Sequence, residues 1–212
     1  MVNTEVCGTF DSGSIPDRHP MITDKNNSGE YSVGLAKGFD ISNIIKLQSE
    51  NLEVNLSNDQ KGDGFLRLKN SHQEIEDIIN GQGVFIVCYQ GNNLAGYVFS
   101  INKEYAKKIN FFDDFTENIK DVQYKNKNIN EYNYCILGQL CIIVQHRGSK
   151  VLELLHERLR HELTSKGYEI AVTEIDESNT RSIEANINKM GMVQAGKYKT
   201  CNNVWLITVM PL

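Results

Sequence analysis

The sequence lacks any apolar run that approaches the roughly 20 residues needed to cross a bilayer. It also lacks an excess of positive charge. The formal net charge is −5 at pH 7, which argues against a nucleic-acid binder, because such proteins neutralise phosphates with Lys and Arg. Its first residues have neither the basic start nor the apolar core of a secretory signal. These absences predict a cytoplasmic protein that binds neither membranes nor nucleic acid.

Cysteine is sparse and shows no pairing pattern. The five cysteines are odd in number, lack CxxC spacing, and mostly fall in apolar stretches: Cys7, Cys88, Cys135, Cys141 and Cys201. We therefore expect free, buried thiols in a reducing compartment.

Proline is scarce as well, and two of the three prolines, Pro16 and Pro20, fall within the first 30 residues. That stretch is rich in Gly, Ser, Asp and Asn and has no periodic pattern, which predicts a flexible N-terminal tail over residues 1–30. No Gly/Pro/Ser linker divides the remainder. With 212 residues and 40% hydrophobic content, the chain suits one ordinary core, so a single domain is predicted over residues 31–212.

The most informative stretch of the sequence runs from Tyr134 to Met192. It begins with a β-branched, apolar run from Cys135 to Val144, interrupted only by Gly138 and Gln139, which favours a buried central strand over a helix. A polar turn follows at residues 145–149. Leucines then recur at spacings of three and four, which marks the apolar stripe of a helix: Leu152, Leu155, Leu159 and Leu163.

A second strand and a second helix complete this unit. The strand covers about Tyr168 to Ile175, and the helix begins after a cap signal at Ser178-Asn179 and ends at Gly191. Strand, turn, helix, strand and helix in this order predict a parallel βαβα unit. The polar turn precedes a helix N-terminus, whose unpaired N–H groups carry partial positive charge, so this turn is a candidate anion site.

This stretch resembles the acetyl-CoA-binding half of the GNAT superfamily of N-acetyltransferases. The family's pyrophosphate loop reads R/Q-x-x-G-x-G/A after a strand that ends in three apolar residues, and Arg147 to Leu152 align with it. Lys150 stands where the family has glycine, and Leu152 stands where it has Gly or Ala. An alternative register from Gln145 keeps one glycine but fits the strand less well. The segments GQLCI, TEI and NTRSI extend the resemblance, which covers roughly Tyr31 to Val209.

The resemblance implies an α/β (α+β) fold with a mixed central sheet of about seven strands, splayed at the middle and flanked by about four helices. Other signals follow the GNAT order: a capping box at Ser71 to Glu74, a hairpin around Gly91 to Asn93, and a final hairpin around Cys201 to Asn203. The charged segment 102–132 carries apolar anchors, which predicts a partly helical insertion over one end of the sheet.

The resemblance also implies a set of cofactor contacts. Three residues at the end of the central strand would pair their backbone with the pantetheine arm of acetyl-CoA: Leu140, Cys141 and Ile142. The amides of the loop would wrap the pyrophosphate: Arg147, Gly148, Ser149, Lys150, Val151 and Leu152. Asn179 would hydrogen-bond the pantetheine arm, although an ordinary helix N-cap also explains this residue.

The catalytic groups are predicted less directly. Glu174 lies in the second strand and is a candidate general base, although it is equally suited to pair with Arg181 or to face solvent. The family often has a Tyr or His as general acid about seven residues after the residue that corresponds to Asn179, but Asn186 stands at that position here. The spacing from Asn179 to Gly191 is also one residue longer than usual. Either Tyr134 or Tyr198 supplies the proton, or coenzyme A leaves as the thiolate.

No metal site is predicted, since His156 and His161 are five residues apart and lie about 140° from each other on a helix. The resemblance implies an N-acetyltransferase that moves an acetyl group from acetyl-CoA to a primary amine of a small molecule or peptide by direct attack in a ternary complex. Its partners would be acetyl-CoA and the amine, and a homodimer remains open. The competing hypothesis, favoured by Lys150, Leu152 and Asn186, is a non-catalytic module that binds acyl-CoA.

Overall fold

The computed structural model describes residues 31–212. Its strands, in chain order, are β1 (Tyr31–Leu35), β2 (Gly83–Gln90), β3 (Asn93–Asn102), β4 (Gln123–Tyr124), β5 (Lys127–Asn128), β6 (Tyr134–Ile142), β7 (Ile170–Asp176), β8 (Val193–Lys199) and β9 (Val204–Pro211). Its helices are α1 (Ile41–Asn51), α2 (Asn58–Lys61), α3 (His72–Asp77), α4 (Lys103–Ala106), α5 (Asp113–Asn118), α6 (Val151–Ser165) and α7 (Thr180–Ile183). The tail predicted for residues 1–30 lies outside the described residues.

Seven strands form one mixed sheet in the order β1-β2-β3-β6-β7-β9-β8. Every neighbouring pair is antiparallel except β6 and β7, which run parallel. The predicted sheet is therefore confirmed. Residues 31–212 contain seven α-helices rather than about four, because α2, α4 and α7 are four-residue turns in polar connections. None of the helices in this range is long and apolar enough to cross a membrane.

The sheet separates two hydrophobic layers. Helix α6 covers one face with the predicted stripe, in which Leu155, Leu159 and Leu163 are fully buried. Leu152 is the exception, because it points towards a cavity beside the helix N-terminus. The opposite face packs against α1 and α3, and the capping box that starts α3 is formed as predicted, with Ser71 N donating to Glu74 Oε2 at 2.7 Å.

The segment between β3 and β6 packs onto the second layer, as predicted for the insertion. It contains α4, α5, several 3-10 turns and the small ribbon of β4 and β5. Four apolar side chains anchor it in the core: Phe112, Phe115, Ile119 and Ile129. This burial fixes the position of the residues between those anchors.

The helix that starts at α7 changes pitch after its first turn. Residues Glu184–Lys189 form a π-helical turn, in which the Met190 N–H donates to the Ala185 carbonyl, five residues back, at 3.1 Å. A π turn accommodates one more residue than an α turn does. It therefore explains the extra residue in the spacing from Asn179 to Gly191.

Candidate functional site

The central feature of the site is a gap between the two parallel strands. β6 and β7 pair over only three residue positions, Tyr134 to Ile136 against Ile170 to Val172. Beyond that point β6 continues along β3, and β7 continues along β9. The inner edges of residues 137–142 and 173–176 therefore face each other across a cleft.

At the closed end of this cleft, where the pairing of β6 and β7 stops, a side-chain hydrogen bond takes the place of the backbone hydrogen bonds between the strands. Thr173 follows the last paired residue of β7, and its Oγ1 donates to the Leu137 carbonyl oxygen at 2.9 Å. The hydroxyl thus satisfies a backbone acceptor at the point where the strands part.

A bulge in β6 accompanies the separation. The register against β3 shifts between Phe99 and Ser100, which leaves Gly138 as an extra residue in β6. A Cβ at Gly138 would lie 1.9 Å from Cε2 of Phe99, whose ring is fully buried. Glycine is therefore required here by the close approach of an aromatic ring.

The backbone groups of β6 alternate between β3 and the cleft. The Ile143 N–H donates to the Ala95 carbonyl, and the Cys141 carbonyl points towards Gly96, so these residues face β3. The backbones of Leu140 and Ile142 consequently face the cleft. Of the three predicted strand residues, which all line the cavity, Cys141 is the one whose backbone faces β3 instead of the cleft.

The predicted phosphate loop lies at the open end of the cleft. Gly148 has φ +80°, a left-handed conformation that glycine adopts without strain, and Ser149 Oγ donates to the His146 carbonyl at 2.6 Å. Helix α6 begins at Val151, so its first N–H groups have no partners within the helix. Val151 itself is buried against the sheet and, like Lys150, is absent from the cavity lining.

The side chain of Arg147 holds the loop in place. Its Nε donates to the Ile142 carbonyl at 3.1 Å, its Nη1 to the Asp63 carbonyl at 2.8 Å, and its Nη2 to Asn51 Oδ1 at 3.0 Å. The guanidinium thus ties the predicted phosphate loop to the end of α1 and to the α2–α3 loop. Its positive charge remains at the mouth of the cleft.

The α2–α3 loop, residues 62–71, crosses the cleft and contacts both sides of it. On the β6 side, Gln139 Nε2 donates to the Leu68 carbonyl. On the β7 side, Arg67 Nη2 donates to Asp176 Oδ2 at 2.5 Å. Asn179, at the start of α7, donates from Nδ2 to the Phe65 carbonyl at 3.2 Å. The loop therefore forms a strap over the separated strands.

Asn179 is the N-cap of α7, which was one of the two roles that the sequence suggested for it. Its Oδ1 accepts from the Ser182 N–H at 3.1 Å, and the side chain lines the cavity. Contact with a pantetheine arm stays a prediction. Asn186 also lines the cavity, and its Nδ2 donates to the Ser182 carbonyl at 2.9 Å.

Glu174 lies in the cavity wall and faces the α1 side of the sheet. Burial raises the pKa of its carboxyl to about 7, and the nearby Asp114 carboxylate adds to this effect. A hydrogen bond from the Tyr198 hydroxyl acts in the opposite direction, because it stabilises the ionised form. Within residues 31–212, Glu174 forms no ion pair with Arg181, so that alternative is not found.

The two candidate tyrosines lie in very different places. Tyr134 starts β6 where the strands are still paired, roughly 20 Å along the strand from Leu140, and it is not part of the cavity lining. Tyr134 therefore lies apart from the cavity, and a catalytic role for it stays a prediction. Tyr198 is the tyrosine in contact with Glu174, and burial together with the neighbouring Glu174 carboxylate raises its pKa.

Two further titratable groups border the cavity in neutral form. Burial raises the pKa of the Cys141 thiol to about 12, so it offers no thiolate nucleophile near neutral pH. Burial and the neighbouring Arg160 lower the pKa of His156 to about 4, so its imidazole is uncharged. No group of three or more His, Cys, Asp or Glu residues in the described range is placed to hold a metal ion.

Together these elements enclose a cavity of about 290 Å³. Nine of the twelve predicted site residues line it, and Tyr134, Lys150 and Val151 do not. The sequence reasoning did not assign several other lining residues to the site, among them Arg67, Phe111, Phe112 and His156. The helical stripe of α6 placed His156 on the helix, but no local pattern brings Arg67 to Asp176, which is 109 residues away.

This splayed sheet, with a loop and a helix N-terminus at the mouth of the cleft, is the fold of the GNAT N-acetyltransferases. The chain is similar to the ribosomal-protein-S18-alanine N-acetyltransferase of Escherichia coli, with a TM-score of 0.55 and 11% identity over 85% of this chain and 93% of that one. It is also similar to a GNAT-family acetyltransferase of Streptococcus pneumoniae, with a TM-score of 0.57 and 14% identity over 86% and 99% of the two chains.

A third solved structure is a candidate acetyltransferase of Salmonella typhimurium that contains its cofactor acetyl-CoA. It matches with a TM-score of 0.55 and 11% identity over 86% of this chain and 94% of that one. No protein-family model and no curated protein matches the sequence significantly. At these identities the likeness establishes the fold.

Proposed function

We propose that the protein is an N-acetyltransferase that moves an acetyl group from acetyl-CoA to a primary amine of a small molecule or peptide. The observation that carries the proposal is the cleft between β6 and β7, which the Leu140 backbone faces and whose cavity Glu174 lines. Support also comes from the solved structure that has the same fold and contains acetyl-CoA. A cytoplasmic location and a homodimer stay predictions.

The residues of the cleft fit the cofactor. The N–H and C=O of Leu140 face the cleft and are suited to pair with an extended pantetheine arm as a neighbouring strand would. The N-terminus of α6 is suited to a pyrophosphate, whereas the Arg147 and Ser149 amides already donate to carbonyls of the loop. Arg147 adds charge at the same point while it holds the loop to Asp63.

The reaction needs one proton acceptor and a fixed geometry. Acetyl-CoA supplies a thioester, whose carbonyl carbon gains a bond to the amine nitrogen and loses its bond to sulfur. Glu174 accepts the proton that the amine releases, directly or through a water. A cleft-facing N–H of β6 stabilises the carbonyl oxygen as it gains negative charge. The sulfur takes a proton from water, because Asn186 is not an acid.

Acetyl-CoA is expected to stabilise the folded protein against heat. At a ligand concentration of about 100 times Kd, mass action adds about 2.7 kcal/mol, which raises Tm by about 5 to 10 °C for a chain of this size. Differential scanning fluorimetry measures this shift, with ATP as the control for unspecific phosphate binding. If acetyl-CoA, coenzyme A and longer acyl-CoAs at millimolar concentration all leave Tm unchanged, the proposal is contradicted.

A thiol-release assay with a panel of amines then separates the two hypotheses. Release of coenzyme A that depends on the amine supports the enzyme. Binding of acetyl-CoA without release for any amine supports the non-catalytic acyl-CoA module instead.

Replacing Tyr198 with phenylalanine is expected to shift the acidic limb of the kcat/KM profile to higher pH. The Tyr198 hydroxyl donates to the ionised Glu174, so its loss raises the pKa of Glu174 above about 7. Comparing both enzymes with the same amine removes the contribution of the amine's own titration. Carboxyl NMR of Glu174 measures the same shift without turnover. Unchanged profiles would show that the hydroxyl does not set the pKa of Glu174.

A further inference from the structure

The insertion between β3 and β6 supplies an aromatic wall at the Glu174 end of the cavity. Phe111 and Phe112 both line the cavity, and their rings meet edge to face with centroids 5.4 Å apart. They directly precede α5, whose Asp114 lies near enough to Glu174 to influence its ionisation. Burial of Phe112 and Phe115 in the core fixes this wall.

Glu174 is a carboxylate at this end that is available to an incoming cation. Asp176 also lines the cavity, but Arg67 binds it at 2.5 Å and binds Glu53 at 2.9 Å. Glu174 has no cationic partner within residues 31–212. Glu174 is therefore suited to bind an incoming ammonium beside the aromatic wall, with the exposed Asp114 carboxylate nearby.

The strap closes the same end of the cleft. Its hydrogen bonds to Gln139, Asp176 and Asn179 join both sides of the opening. The guanidinium of Arg67 lies 5.7 Å from the centroid of the Trp205 ring, so another cavity-lining aromatic is already covered. Phe111 is only partly buried and remains the aromatic surface next to Glu174 that a ligand can reach.

We propose that this end of the cavity is an acceptor subsite for a compact primary amine that carries an apolar, preferably aromatic, group. The inference rests on the proposed acetyl transfer. The ammonium binds at the Glu174 carboxylate and gives up its proton there before the nitrogen attacks. The apolar group packs against Phe111 and Phe112, which also favour a nearby cation. Phe111 is thus a specificity-determining residue.

Steady-state kinetics with three acceptors test the subsite: 2-phenylethylamine, spermidine and an alanine-headed tetrapeptide. The aromatic monoamine is expected to have a kcat/KM at least about tenfold above the other two, since an apolar contact of this size is worth about that factor. Phe111→Ala should raise its KM about tenfold and leave kcat and the acetyl-CoA thermal shift unchanged. Phe111→Leu, which keeps most of the apolar contact, should give an intermediate KM.

The matched control is Phe39→Ala, which removes an exposed phenylalanine that is not part of the cavity lining. A preference for spermidine or the peptide overturns this inference and leaves the proposed acetyl transfer standing. If Phe111→Ala and Phe39→Ala have the same kcat and KM for the aromatic amine, the subsite inference is overturned in the same way. Absence of thiol release with every amine overturns both proposals.

Discussion

Glu174→Gln is expected to lower kcat about 100- to 10,000-fold, the range that a positioned general base contributes. The KM for acetyl-CoA should stay within about twofold, because the cofactor contacts proposed above come from β6 and the loop after it. Glutamine keeps the size of the side chain but does not accept a proton near neutral pH. The matched control is Glu177→Gln, an exposed carboxylate just beyond β7 and absent from the cavity lining.

The ionisation of Glu174 also predicts how activity and stability change with pH. The pKa of Glu174 is about 7, so the base is half ionised near that pH, and wild-type kcat/KM should rise until it reaches a plateau at higher pH. A pKa raised from 4.5 means that burial favours the protonated carboxyl in the folded state. Stability from this group is thus fully present below about pH 4.5 and is lost as pH rises through about 7.

Glu174→Gln should therefore unfold at a higher temperature than wild type at pH 8. This separates lost catalysis from lost folding. A variant that keeps wild-type kcat would show that another group accepts the proton. A variant with low kcat and a lowered Tm at pH 8 would point to misfolding instead.

Gly138→Ala is expected to lower the free energy of unfolding by about 2 to 3 kcal/mol, the usual cost of overpacking a core. Its Cβ would lie 1.9 Å from Cε2 of Phe99. That ring is fully buried and stacks on Phe85 with centroids 5.1 Å apart, so it has no space to move. Urea denaturation measures the change. Acetyl-CoA affinity should fall too, because Leu140 lies two residues further along β6.

The matched control is Gly38→Ala, since a Cβ at Gly38 meets no atom within 4 Å. Its effect should stay within about 0.5 kcal/mol. The double variant Gly138→Ala/Phe99→Leu should recover part of the lost stability, because the smaller side chain removes the clash. Equal urea midpoints for the two alanine variants would contradict the packing argument.

The sequence predicted the elements that have local patterns. The leucine spacing of α6, the apolar run of β6 and the capping box at Ser71 all appear in the structure, because each depends on residues within a few positions of one another. Their order predicted the parallel βαβα unit, and the resemblance to the GNAT superfamily implied the mixed sheet of seven strands.

The details of the site depend on contacts that no local pattern encodes. Arg147 binds Asp63, 84 residues away, so its role in holding the strap was not visible in a loop motif. The sequence offered Tyr134 and Tyr198 equally as candidate acids, and only the long-range contact of Tyr198 with Glu174 distinguishes them. The π turn after α7 was signalled only by one extra residue before Gly191.

The parting of β6 and β7 also has a consequence for association kinetics. β3 and β9 already hold the outer edges of residues 137–142 and 173–176, so neither strand has to unzip before a ligand arm enters. An extended arm then binds between two strand edges that are already in position. Its rate is set by encounter and orientation rather than by opening of the sheet.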